Sequence, residues 1–207
     1  MRRIVRGVVS SGLSSMLVVL SLVPSAYAGP KFADYPQRKA SECAIKADKL
    51  GFVVGIQPVE DLNDQKNYFN SDLTKKGFIP VYIVIENQSS ADSFLFDKTG
   101  VKIGVGTSTG SGPNANSKSV QTLQVVSALA ISPVGIIIGA KLAKDEALVQ
   151  TNLLKKEVQS KTLSPASSTS GFLYLPVPKA GPRQPIHLTI SITRSGDDEP
   201  FSLDFNF

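Results

Sequence analysis

The sequence predicts a mainly β protein, an antiparallel sandwich interrupted by an inserted α-helical hairpin. Three observations predict it. Phe78-Ile79-Pro80-Val81-Tyr82-Ile83-Val84-Ile85 is apolar without alternation, the pattern of a strand buried on both faces in the middle of a sheet. Near the end of the chain, Ile186, Leu188, Ile190 and Ile192 alternate with His187, Thr189, Ser191 and Thr193. Phe201, Leu203, Phe205 and Phe207 alternate in the same way with Ser202, Asp204 and Asn206, and the turn Arg194–Pro200 separates the two runs. This is an antiparallel pair with one apolar and one polar face. The third observation is a break between these regions: Ser119 to Ala140 is a run of 22 residues without a charge, bounded by Lys118 and Lys141.

Residues 1–28 read as a removable export signal. Arg2, Arg3 and Arg6 form a positive start, Leu13 to Val23 an apolar core, and Ala26-Tyr27-Ala28 a small-x-small cleavage pattern. The core is shorter than the about 20 apolar residues of a membrane anchor. The expected mature chain is therefore one exported domain, residues 29–207, placed in the periplasm or outer cell envelope. Loss of 28 of the 207 residues leaves 179, enough for one core. Three arginines leave with the signal, so 19 Lys and Arg face 17 Asp and Glu. No basic stripe with interleaved aromatics remains, and nucleic acid is not an expected partner.

Along the mature chain a mobile start, Gly29 to Ser41, leads into two short β pieces, Cys43 to Ala47 and Phe52 to Gln57, the second ended by Pro58. Glu60 to Lys76 is polar and loop-like, with Tyr68, Phe69 and Leu73 as anchors. After the apolar strand, Glu86–Ser90 turns the chain into Ser93 to Asp97, and Asp97-Lys98-Thr99-Gly100 is expected to close a hairpin onto Val101 to Val105. Gly106 to Lys118 carries no large apolar residue and reads as a linker. Ile138, Leu142, Val149 and Leu153 share a helical face, and Ser132-Pro133 fits an N-cap and first helical residue. Two helices meeting near Ser132 and ending near Gln159 are expected, an insert over about 119–159. Thr162 to Ser170 is expected to be a loop, and Gly171 to Val177, limited by Pro176 and Pro178, an edge strand.

The uncharged run has three placements: packed on the sheet, dipping into a membrane surface, or spanning it. A single span would separate strands 78–105 from strands 171–207 and leave unpaired edges on both sides. In either of the first two placements Val125, Val126, Leu129, Ile131, Val134, Ile136, Ile137 and Ile138 are the candidate contact residues for a partner or a membrane.

Catalytic and metal chemistry find little to build on. Cys43 is the only cysteine and His187 the only histidine, so neither a metal cluster nor a Cys–His pair has a recognisable spacing. Cys43 reads as a small apolar residue near a first strand, and His187 as a solvated one. Gly112 to Ser119 nearly reproduces a phosphate loop, but Ser117 stands where the second glycine should be. Asp61-Leu62-Asn63-Asp64-Gln65 echoes a calcium loop without its glycine. Asn87-Gln88-Ser89 is a glycosylation sequon in letters, explained by a turn beside a strand. No catalysis, cofactor or metal is expected.

Ile83 to Ser89, Phe94 to Gly100 and Leu163 to Leu175 together resemble the immunoglobulin-like (telokin-like) β-sandwich domains of bacterial exported proteins and lipoproteins. Two departures stand out. Ala166 occupies the place after the proline where the family usually has glycine, and the insert Ser119 to Gln159 is foreign to a small sandwich. The resemblance implies a binding or structural role without catalysis. The sequence thus predicts a cell-envelope protein whose hairpin contacts another envelope protein, its own copies or membrane lipid. A second reading starts from the closing run Phe201-x-Leu203-x-Phe205-x-Phe207, which matches the last strand of a small outer-membrane β-barrel.

Overall fold

The structure, a computed structural model, describes residues 31–105, 144–177, 185–196 and 198–207. A 3-10 turn (Ala40–Glu42) opens onto β1 (Ile45–Lys49) and β2 (Phe52–Pro58), followed by α1 (Leu62–Phe69), β3 (Phe78–Asn87) and β4 (Ser93–Val105). After the insert come α2 (Lys144–Lys156), β5 (Lys161–Leu163), β6 (Ser168–Pro176), β7 (Ile186–Ser195) and β8 (Pro200–Asn206). The strands form two four-stranded antiparallel sheets, β1-β2-β3-β6 and β5-β4-β7-β8.

The inner faces of the two sheets share one core. Ile79, Val81, Ile83 and Ile85 of β3 meet Phe94, Phe96, Val101 and Ile103 of β4, with Leu188, Ile190, Leu203 and Phe205 behind them. Phe52 and Phe94 cross edge to face at 5.1 Å, and Phe201 closes the triad at 6.1 and 5.8 Å, tying the sheets together. Burial of each such side chain contributes about 1.5–3 kcal/mol. The two sheets are therefore sandwiched, and the mainly β expectation holds.

A second core lies on the outer face of the first sheet. Tyr82 and Val84 of β3 and Phe172 and Tyr174 of β6 are covered by Phe69, Leu73, Val149 and Leu153, with Ala40 and Cys43 beside them. This is why β3 reads as continuously apolar: odd positions feed one core and even positions the other. On the second sheet, β7 and β8 alternate as expected, and their polar residues face outward.

Several expectations need correction. Residues 97–100 do not close a hairpin. β4 is one strand whose register against β7 jumps between Phe96 and Val101, so four residues bulge out opposite Ser191. The bulge turns inward-facing even positions (Phe94, Phe96) into inward-facing odd ones (Val101, Ile103). It is stabilised locally, because Asp97 accepts from Thr99 N at 2.9 Å and from Thr99 Oγ1 at 2.6 Å. Within the segment read as a loop, Asp61 caps α1 by accepting from Asn63 N and Asp64 N, and Asn70 ends the helix at φ 49°.

The start read as mobile is docked from residue 31: Phe32 and Tyr35 pack on the second core. The segment Thr162 to Ser170 holds β5 and the start of β6. Of the expected hairpin, α2 falls within the span expected for the second helix and ends at Lys156, and the rest of the expectation lies outside the described residues. The barrel reading also fails on architecture. The described strands make two separate sheets and not a closed barrel, and their apolar faces point to shared interiors instead of outward to lipid. Among the described residues no helix is long and apolar enough to cross a membrane.

Candidate functional site

Val125, Val126, Leu129, Ile131, Val134, Ile136, Ile137 and Ile138 lie outside the described residues, as does the phosphate-loop-like stretch Gly112 to Ser119. What is described are the two places where the insert joins the sandwich. It leaves from the end of β4, whose last pair is Val105 with Ile186 of β7. It returns through α2, which lies on the first sheet. Strands before the insert pair with strands after it in both sheets, β3 with β6 and β4 with β7.

α2 is held by a polar grip as well as by its apolar face. Val149 and Leu153 are buried in the second core, one turn apart. Asn152 and Lys156, also one turn apart, both donate to the carbonyl of Tyr68 in the last turn of α1, at 2.9 and 2.7 Å. A carbonyl left over at a helix end thereby gains two donors, one of them cationic at the negative end of the helix. Lys156 Nζ also donates to the carbonyl of Ala33, fastening the N-terminal segment, and lies 5.6 Å from the Phe69 ring centre. Burial pushes its ammonium below the usual lysine range, and Asp34 partly opposes that shift.

Past α2 the chain crosses β6. Val158 N donates to Phe172 O at 3.0 Å, and Glu157 forms a parallel bridge with Phe172. The crossing is possible because residue 171 is glycine: a Cβ there would stand 2.6 Å from Val158 N and Cα. The Glu157 carboxylate, buried at that crossing, forms an ion pair with Lys98 Nζ of the β4 bulge at 2.9 Å. The insert's return path is thus tied to both sheets.

A second junction joins two turns. Asn87 is buried and spends its whole side chain: Nδ2 donates to Asp92 O at 2.7 Å and Leu163 O at 3.0 Å, while Oδ1 accepts from Ser89 N. The sequon is therefore a structural asparagine. Its backbone N–H donates to Ser167 O, in the turn Ser164-Pro165-Ala166-Ser167. That turn has proline second, Ala166 third at φ 56°, and Ser167 N bonded to Ser164 O at 3.1 Å, the signature of a type II turn. The third position of such a turn favours glycine, so the departure at Ala166 is a residue held in a left-handed conformation.

The other candidate residues are dispersed. His187 faces solvent on the second sheet, with Nδ1 2.5 Å from Asn206 Oδ1 and Nε2 3.6 Å from Asp204 Oδ1. Cys43 is buried on the outer side of the first sheet, where burial pushes its thiol up, so the whole sandwich separates it from His187. The calcium-like stretch is the cap of α1. Among the described residues no cluster of three His, Cys, Asp or Glu side chains is placed to hold a metal.

Sequence reasoning missed Gln65, the buried centre of the Val59 to Thr74 region. Its amide donates to Val59 O and Thr74 Oγ1, both at 2.9 Å, and accepts from Leu73 N at 2.8 Å and Thr74 N at 3.2 Å. The available signal was Asp61 as cap, with Gln65 and Phe69 one turn apart and Asn70 as stop. Comparison of the chain with protein-family models, curated proteins and solved structures gave no match in any of the three.

Proposed function

We propose that the chain is a non-catalytic binding or structural domain of a bacterial cell envelope, exported by its N-terminal signal. In this reading an immunoglobulin-like sandwich presents the apolar insert to a partner protein, another copy or a lipid surface. Strand order supports the fold assignment. β5-β4-β7-β8 follows the C′-C-F-G order and β2-β3-β6 the A-B-E order of immunoglobulin-like sheets, with β1 added beyond A. Ala166 in a glycine-type turn position supports the same resemblance.

One observation carries the functional part. Both ends of residues 106–143 are held on one body, since β3–β6 and β4–β7 pair across them. A single membrane crossing between them would break both ladders, which supports the placements that keep both ends of the run on one side. A run of that apolarity is used there for contact.

The test keeps α2 intact, because removing residues up to Lys156 would strip Val149 and Leu153 from the second core. In the full chain, Val125, Val126, Leu129, Ile131, Val134, Ile136, Ile137 and Ile138 are replaced by Ser, Thr or Asn. Flotation with phosphatidylethanolamine–phosphatidylglycerol vesicles and sedimentation velocity are then compared. The parent should float or form larger species, and the replaced chain should do neither while keeping its β circular dichroism. Unchanged behaviour in both assays would remove the insert as the contact.

A further inference from the structure

Among the described residues four strands lie at sheet edges, β1 and β6 in the first sheet and β5 and β8 in the second. Each edge leaves a row of backbone N–H and C=O groups that another strand could take. β6 is crossed near its middle by Glu157 and Val158, and β5 is three residues long. On β8, Ile186 and Phe207 exchange both bonds, so by alternation Ser202, Asp204 and Asn206 direct theirs to the open edge. Asp204 stands at the centre of that row, where pairing of the strand with its own copy would set carboxylate against carboxylate. β1 has no such obstacle.

The β1–β2 hairpin fixes which groups of β1 are spare. Leu50 and Gly51, at φ 57° and 77°, form the two-residue turn of a type I′ hairpin. Lys49 and Phe52 therefore exchange both bonds, as do Ala47 with Val54 and Ile45 with Ile56. Lys46 and Asp48, both with exposed side chains, direct their backbone groups away from β2. Among the described residues β2 is the only ladder partner of β1. β8 comes near through Lys49 Nζ, 5.5 Å from the Phe201 ring centre, and no ladder joins the two. Ile45 and Ala47, on the inner side, are only half-buried against the core.

This edge is complementary to itself. Antiparallel pairing with a second copy about a two-fold axis at Ala47 sets Lys46 of each chain opposite Asp48 of the other. Those are the residues whose backbone groups are spare, so backbone bonds and opposite charges fall on the same pairs. The next registers on either side set Lys46 opposite Lys46 or Asp48 opposite Asp48, which like charge disfavours. The small Ala47 at the axis lets the strands close up, and Ile45 falls opposite the aliphatic stem of Lys49. We infer that β1 is a homodimer interface, through which the first sheets of two copies join into one continuous sheet. Because the same patch meets itself, the assembly closes at two copies. With five residues a side it is a weak interface, and it does not rest on the insert's contact role.

Sedimentation equilibrium is run on the full chain carrying the insert replacements, so that association through the insert does not contribute. Concentrations reach the high micromolar range, well above those of the insert comparison. A reversible monomer–dimer equilibrium is expected. Lys46→Asp and Asp48→Lys, at exposed positions, should each weaken the dimer about tenfold or more and leave the urea midpoint unchanged. An equimolar mixture of these two variants should regain a dimer holding one of each, because each supplies the sign the other lacks. A chain carrying both reversals should dimerise like its parent. The single variants and their mixture are also compared without the insert replacements, so the result stands even if those replacements unfold the chain. The proposal is overturned if the insert-replaced chain keeps its β circular dichroism and stays monomeric throughout. It is equally overturned if a single reversal leaves the dimer as strong, or if neither the mixture nor the double reversal regains it. An open-ended series of larger species would overturn it too, by showing that β1 pairs with β8 of the next copy.

Discussion

The first sheet is covered on both faces and the second on one, and the same residue types behave differently on them. In β3 and β6 nearly every central side chain is buried, whereas β7 and β8 alternate buried with half-buried or exposed residues. Leu153 and Leu95 make the contrast concrete: the first is fully buried on the covered sheet, and the second is 40 % exposed on the outer face of the other. What differs is the cover. It consists of α1, α2 and the docked N-terminal segment, all connections or flanks outside the sheets themselves. The outer cover is thus a second folding unit laid on a sandwich, held by apolar contact and by a few saturated polar hubs.

Breaking the cover should have the largest effect. Leu153→Ala is expected to cost roughly 2–5 kcal/mol in urea unfolding, since the side chain has no exposed path to relax into. Gln65→Ala comes next, at roughly 2–4 kcal/mol, because it leaves Val59 O, Leu73 N and Thr74 N without their partner. An unchanged midpoint in either variant would mean the cover is not a cooperative part of the fold.

Tyr174 probes the same cover through pH. Burial raises its phenol far above the usual value near 10, with Glu157 adding to the effect. The folded chain therefore keeps a proton that the unfolded chain releases above pH about 10, so stability is flat below that point and falls as pH rises beyond it. Tyr174→Phe should lose about 1 kcal/mol at neutral pH, for the bond to Leu153 O, and should show a shallower alkaline decline. An equally steep decline would assign it to other groups.

Two smaller changes sharpen the contrast. Ala166→Gly should raise stability by up to about 1 kcal/mol, by relieving a left-handed alanine; a fall would mean the gain in unfolded-chain entropy outweighs the strain. On the singly covered sheet, Leu95→Ser should stay within about 0.5 kcal/mol of the parent. A loss as large as that of Leu153→Ala would show that the outer face of the second sheet is also buried in the working protein.

What could be read from the sequence follows from the same contrast. β3, β7 and β8 were legible because their side chains report directly on one or two cores, and β6 as an edge strand because prolines limit it. α1 was not legible. Only Gln65 and Phe69 of its eight residues are buried, and the central one is polar and satisfied by backbone groups, which leaves no apolar stripe. β4 was read as a hairpin because Asp-Lys-Thr-Gly is good turn chemistry, and a bulge needs the same residues. The junctions at Asn87 and Lys156 join residues too far apart in the chain for any local pattern to show. The candidate contact residues between 125 and 138 were legible as apolar, and that much follows from composition alone.

The register of β3 against β6 has a consequence for how the chain is made. Glu86 meets Ser168 and Phe78 meets Pro176, so the insert and α2 must both be synthesised before this edge of β3 is paired. Until then a strand apolar on both sides has a neighbour on one edge only. Long-range pairing of that sort slows folding and leaves sticky intermediates. A chain with this order needs a holding chaperone while it is being made, or a delay in folding until its last third has arrived.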